Sequence, residues 1–325
     1  MDAELVDGYE LACRGPTVVA LGGNAVIAKG QRGDIYEQFA NTRVSLEPFI
    51  PLIAAGTPLV FTHGNGPQVG DLLLMAEAAR GVVPTLPLGV LVADTQGQMG
   101  YMFQQSLKNC LIREGVARDV VTVLTQVVVD RNDERMQRFT KPIGPFFDEA
   151  TARQRMADKG VVLKEDSGRG WRRVVPSPTP RAIVEVDVIR ALLADGDVVI
   201  ACGGGGIPVY YEEDGRLEGV DAVCDKDLAS AMLARDLDAC VYVSATSVEQ
   251  VYLNYNGPDQ RPLDVVTAAE AREYLAAGHF GEGSMRPKVA AIINFLENGG
   301  NLGVVTTPEL VPAALRGEAG TRFVP

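Results

Sequence analysis

The sequence predicts an α/β fold, a three-layer sandwich with a mainly parallel central sheet and helices on both faces. Three observations carry this. Five short apolar runs rich in Val, Leu and Ile do not alternate with polar residues, as expected of strands buried on both faces. Each run ends in glycines or a polar turn. Segments with helical spacing lie between them, and strands alternating with helices build parallel, right-handed crossover units.

The elements follow in order. Thr17–Leu21 reads as a strand running into Gly22-Gly23-Asn24, and Pro58–Thr62 as a strand running into His63-Gly64-Asn65-Gly66. Val69–Arg80 is predicted helical, with Leu72, Leu73, Met75 and Ala76 on one side. Asp94–Glu114 and Pro180–Ala194 are read as further helices. Val198–Cys202 is a strand ending in four glycines, Gly203–Gly206. Lys226–Leu237 is a helix, Val241–Ala245 a strand entering Thr246-Ser247, and Ala268–Ala277 and Pro287–Asn298 are helices before the last strand, Leu302–Val305. One region breaks the alternation. From about 130 to 180 the chain is rich in charge, Pro and Gly and holds the only Trp, Trp171. It is predicted to be an inserted subdomain with a small protruding hairpin that serves as a lid. Residues 1–16 read as a loose N-terminal extension and 17–325 as one domain carrying that insertion.

Composition narrows the function. The chain has 325 residues and a net charge of −12, with no cluster of Lys and Arg, so a broad nucleic-acid-binding face is not expected. No apolar stretch approaches a membrane span and the first residues do not resemble a secretory signal, so a cytoplasmic location is expected. The five cysteines include no C-x-x-C pair, which predicts reduced thiols and no structural disulfide. There are only two histidines, His63 and His279, so any His-based metal site or triad would rest on one of them.

The glycine turns after buried strands expose backbone N–H groups suited to anions. They match neither the P-loop nor the G-x-G-x-x-G fingerprint, since Val69 stands where the third glycine would be. Lysines near two helix starts, Lys226 and Lys288, oppose the helix dipole unless an anion sits there as well.

Taken together the motifs resemble carbamate kinase, a branch of the amino-acid-kinase fold. They are Gly22-Gly23-Asn24-Ala25, His63 to Gly70, Thr140-Lys141-Pro142-Ile143-Gly144-Pro145-Phe146, Lys164 to Trp171, Val175-Pro176-Ser177-Pro178, Gly203 to Val209, Asp225-Lys226-Asp227, and Gly278-His279-Phe280 followed by Gly283 to Lys288. They run in the family's order across most of the chain. Many relatives in that fold carry a lysine in the first strand. Thr17–Leu21 has none, while Lys141 matches the lysine that carbamate kinases place on their insertion.

The resemblance implies reversible phosphoryl transfer, ATP + carbamate to ADP + carbamoyl phosphate, with Mg²⁺, in the ATP-forming direction in arginine or agmatine fermentation. The alternative is a kinase of the same fold acting on another small carboxylate or phosphonate. By the same resemblance, Lys141, Lys226, Asp227 and Lys288 are the catalytic set. Gly22, Gly23, Asn24, Asn65 and Gly66 hold the carbamate. Gly203, Gly204, Gly205, Gly206, Thr246 and Ser247, with Lys226 and Lys288, hold the nucleotide. Mg²⁺ is bound mainly through nucleotide phosphates, with no side-chain ligand assigned. A homodimer is implied, with neither nucleic acid nor membrane as partner. His63 is expected to fix the turn at Gly64–Gly66 rather than act as a base.

Overall fold

In the computed structural model, which describes residues 15–28, 30–166, 168–281 and 285–325, the first strand lies in the middle of a sheet. In chain order the first elements are β1 (Thr17–Leu21), α1 (Ile35–Leu46), α2 (Ile50–Ala54), β2 (Leu59–His63), α3 (Gly66–Ala78) and α4 (Leu88–Arg113). The middle of the chain forms β3 (Val120–Thr122), β4 (Gln126–Val129), β5 (Phe139–Phe147), α5 (Glu149–Lys159), β6 (Leu163–Glu165), β7 (Trp171–Pro176) and β8 (Pro180–Ile183). Next come α6 (Val186–Asp195), β9 (Val198–Ile200), β10 (Ile207–Tyr211), β11 (Leu217–Gly219), α7 (Lys226–Asp236) and β12 (Val241–Ala245). The chain closes with β13 (Val251–Leu253), β14 (Arg261–Leu263), β15 (Val265–Thr267), α8 (Ala268–Ala276), α9 (Met285–Glu297), β16 (Leu302–Thr306), α10 (Val311–Leu315) and β17 (Thr321–Val324).

The main sheet has eight strands in the order β15-β17-β16-β12-β1-β2-β9-β3. β1 pairs in parallel with β12 on one side and β2 on the other, Thr17 lying opposite Val241 and Leu59. Among the described pairs of this sheet, β16–β17 alone is antiparallel. The non-alternating runs have the cause expected of them. Val18 and Ala20 feed one core beside Leu233 and Ile292, and Val19 and Leu21 feed the opposite core beside Phe61 and Met99. Successive side chains of a strand point to opposite faces, so a strand covered on both sides is largely apolar. Each fully buried Val or Leu contributes about 1.5–3 kcal/mol.

Several expectations need correction. The helix read over Pro180–Ala194 is two elements. Pro180–Ile183 is a strand antiparallel to β4, and the helix starts only at Val186. Glu185 fixes the break, its carboxylate accepting from the backbone N–H of Gln126 at 2.7 Å and from that residue's amide at 2.8 Å. The helix read from Asp94 starts at Leu88, where Leu88, Leu91 and Val92 pack in a small core with Val69 and Ile143. A helix the apolar pattern did not show, α1, opens on a reciprocal capping box between Asp34 and Glu37.

The region from about 130 to 180 holds more than a hairpin. β5, β7 and β6 form a three-stranded antiparallel sheet, and α5 is capped by Asp148 and ended by Gly160 in the left-handed conformation. β4 and β8 belong instead to a second sheet, β11-β10-β4-β8. The three-stranded sheet docks on α3 where Gly70 faces Gly144. A Cβ on Gly70 would collide with the Gly144 backbone. Around this contact Glu77 of α3 accepts ion pairs from Arg155 at 3.1 Å, Lys159 at 3.2 Å and Arg173.

The prediction of reduced thiols fails at one position. Cys110, Cys202 and Cys224 are free and buried, but Cys240 is disulfide-bonded. The spacing of the cysteines carries no signal for this bond; the Cys240 sulfur also accepts from Gly15 N–H at 3.0 Å. The N-terminal extension expected over 1–16 falls outside the described residues up to residue 14. The expected motif residues Gly283 and Ser284 also lie outside them.

Candidate active site

The site forms where the parallel strands end. Leu21, the last residue of β1, offers its carbonyl to Gly64 N–H at 3.3 Å and to the Lys226 ammonium at 3.3 Å. Beside it Gly22 N–H donates to Ala245 O at 2.9 Å. The ends of β1, β2 and β12 thus meet at one point, as ligand sites of open parallel sheets do.

α7 brings the charge to that point. Asp225 caps it, its carboxylate accepting from the N–H groups of Asp227 at 2.9 Å and Leu228 at 3.3 Å. Lys226 and Asp227 follow in the first turn and are buried. Asp227 holds Lys226 at 3.1 Å and Lys288 of α9 at 3.1 Å. Lys141 reaches in from β5 and pairs with Asp225 at 2.6 Å. Three lysines therefore converge on two carboxylates, leaving a net positive site in an acidic chain. The expected catalytic set, Lys141, Lys226, Asp227 and Lys288, is brought together here.

Burial and charge shift these groups in opposing ways. Desolvation dominates for Lys226 and lowers its pKa to about 8, despite the opposing pull of Asp227. Desolvation also acts most strongly on Asp227, upward, but Lys226, Lys288 and Lys141 together outweigh it and hold the carboxyl well below its usual range. Lys141 is more open, with 28% of its side chain exposed. Its desolvation is outweighed by Asp225, so its pKa is raised.

The turns expected on the substrate side divide. Gly23 and Asn24 are exposed, and a Cβ on Gly23 would meet open space. Asn65 is buried and donates to Thr95 Oγ at 2.9 Å. Gly66 lies under the three-stranded sheet, next to the Arg172 guanidinium and Pro142 O. His63 is buried, stacked on Phe103 at 5.1 Å, and its Nδ1 lies 3.1 Å from Gly64 O. Desolvation lowers its pKa to about 4, so it is neutral at neutral pH.

The four-glycine run is packed rather than open. Side chains at Gly203, Gly204 and Gly205 would strike His63, Asn65 and Cys224 O in turn, and Gly204 and Gly205 sit at φ +66 and +90. Only glycine combines that backbone with that proximity. These residues back the Asn65 turn and the approach to Asp225. They do not line the cavity of about 400 Å³ on the β12 side, which Thr246, Ser247 and Lys288 do line. Sequence reasoning did not reach Tyr252, Asn254 and Tyr255 of that cavity's wall, and named His279 and Phe280 only as part of a motif. His279 Nδ1 lies 2.9 Å from Asn254 Oδ1. No spacing rule links residues 252–255 to 279. Asp225 was also missed as a site residue, although an Asp directly before a helical run is an N-cap signal.

Comparison with known proteins adds the family. Residues 15–306 match the amino acid kinase family. The carbamate kinase of Pyrococcus furiosus is 46% identical over 310 residues, covering 95% of this chain and 98% of the relative. Among solved structures, the carbamate kinase of Giardia lamblia bound to citric acid superposes with a TM-score of 0.91 at 40% identity, covering 95% of this chain and 98% of that one. The same enzyme bound to AMP-PNP gives a TM-score of 0.87 at 40% identity over the same shares.

Proposed function

The chain belongs to the amino acid kinase family, among its carbamate kinases, and from that premise we propose how its residues divide the reaction between them. It is a phosphotransferase. The observation that carries the proposal is the convergence of Lys141, Lys226 and Lys288 on Asp225 and Asp227 beside the Thr246–Lys288 cavity.

Phosphoryl transfer spreads charge over the moving oxygens, so the protein's work is positioning and neutralisation. In our reading the nucleotide base and ribose enter the cavity lined by Thr246 and Ser247, and Lys288 meets the nucleotide phosphates. Carbamate lies across β1, against Gly22, Gly23, Asn24 and the Asn65-Gly66 turn. Lys226 and Lys141 flank the transferring group from below and from the inserted sheet. Asp227 holds Lys226 and Lys288 apart at a fixed spacing. We assign Gly203–Gly206 the task of backing Asn65 and Asp225, with the nucleotide placed elsewhere. The attacking oxygen of carbamate is already anionic, so no general base is required, and neutral His63 keeps the turn in shape.

Mg²⁺ fits as a passenger of the nucleotide. Among the described residues no group of three or more His, Cys, Asp or Glu could cage a metal, and both carboxylates of the site are engaged by lysines. When bound to the phosphates it would neutralise their charge.

The proposed direction is ATP formation from ADP and carbamoyl phosphate, in the breakdown of arginine or agmatine. The proposed setting is a cytoplasmic homodimer. Among the described residues no helix is long and apolar enough to cross a membrane. The test is ATP formation from ADP with carbamoyl phosphate, run beside acetyl phosphate. Turnover with carbamoyl phosphate alone is expected. Equal or better turnover with acetyl phosphate would point to another small acid.

A further inference from the structure

One carboxylate joins the inserted sheet to the helix that carries the buried charges. Asp225 Oδ2 lies 2.6 Å from Lys141 Nζ, while its Oδ1 receives the N–H groups of Asp227 and Leu228 at 2.9 and 3.3 Å. We propose that Asp225 is a positioning residue: it holds Lys141 over the first turn of α7, one N–H of the ammonium engaged and two left for the phosphoryl group. This rests on the reading of Lys141 as a phosphoryl-binding residue given above.

Three features support it. A lysine ammonium has three donors, so one clamp does not spend its binding capacity. The oxygen that clamps is not the oxygen that caps, so neither bond competes with the other. Asp227 also attracts Lys141, but the hydrogen bond that fixes the ammonium is the one to Asp225. The pair lines a cleft of about 460 Å³ with Arg135, Arg138 and Arg286, and among the described residues of that wall Asp225 is the only acidic one. Without it, Lys141 stands among three other cations and is pushed outward. As a stabilising contact the pair is minor, because partly exposed ion pairs contribute little to folding. Its value lies in where it puts a flexible side chain.

The experiment is a double-mutant cycle with ADP and carbamoyl phosphate: wild type, Lys141→Ala, Asp225→Asn and the double variant. Asn keeps a capping oxygen and removes the charge. Asp225→Asn is expected to lower kcat about 10- to 100-fold, the scale of a misplaced catalytic group. KM for ADP should change by less than about threefold, since the nucleotide cavity is untouched. The double variant should be no slower than Lys141→Ala alone. Asp225→Ser, which caps helices well but cannot reach Lys141, should show the same kinetic loss with an unchanged unfolding midpoint. Wild-type turnover in Asp225→Asn would overturn the clamp. So would an equal slowing on both backgrounds, which would mean Asp225 acts through α7 and not through Lys141. Wild-type turnover in Lys141→Ala would instead overturn the role given to Lys141, and the clamp with it.

Discussion

Lys226 is charged at neutral pH by a narrow margin. Desolvation brings its pKa to about 8, Asp227 pulls it up and Lys288 pulls it down. If the protonated form does the work, kcat/KM should fall as pH rises through about 8 in the free enzyme. Lys288→Ala removes a like charge, so the same limb should move to higher pH, measured as a kcat/KM profile over pH 6 to 10. Lys226→Ala should lower kcat by about 10²–10³-fold, the usual loss of one electrostatic donor, and near-normal turnover in a folded protein would remove it from the mechanism. His63 gives a stability prediction of its own. Its folded pKa is about 4 against an ordinary 6.5, so between these values the unfolded chain binds the proton and the folded one does not. Stability should therefore drop as pH falls from about 6.5 to 4, by roughly 3 kcal/mol in all. His63→Gln should flatten that slope in urea titrations.

At the scale of elements, the docking of the β5–β7–β6 sheet on α3 is as demanding as any contact in the core. Gly70 and Gly144 touch backbone to backbone, and neither side has a flexible group that can give way. Gly70→Ala should lift the inserted sheet from α3. Turnover should fall about 10²-fold through displacement of Lys141, while ADP affinity stays within a few-fold. Kinetics and equilibrium binding on the variant would check both halves. The sequence showed much of this scale and missed a definite part. The buried strands β1, β2, β12 and β16 were legible because two-sided burial favours largely apolar, non-alternating runs. The lysines were legible through their motifs. The β8–α6 break was not, because Glu185 stops the helix through a partner 59 residues away. The pairing of Glu77 with Arg155, Lys159 and Arg173 was equally hidden, since each charge alone reads as solvated surface.

At the scale of the molecule, the candidate site divides along β1. The turns after β1 and β2 lie on one side and the cavity beyond β12 on the other. A nucleotide that fills only the second half should still stabilise the whole fold by mass action. ADP at about 100 times its Kd is expected to add ~2.7 kcal/mol, read as a higher unfolding temperature. Lys288→Ala should reduce that gain. Ser247→Ala should reduce it less, since it removes no charge. A gain from ADP that is undiminished in Lys288→Ala would place the nucleotide outside this cavity.

The central place of β1 also has a consequence for how the chain is made. Thr17 pairs with Leu59, which follows soon after, but also with Val241, 224 residues later in synthesis (241 − 17). At about 5–20 residues per second, a ribosome leaves that second edge of β1 unpaired for roughly 10 to 45 s. Throughout that interval a largely apolar strand with one open edge is a template for any other growing chain. Nascent chains arrested before Val241 should therefore be captured by chaperones or co-aggregate. Chains arrested after Thr306 has left the exit tunnel should be protected, because β12 and β16 can then close the sheet.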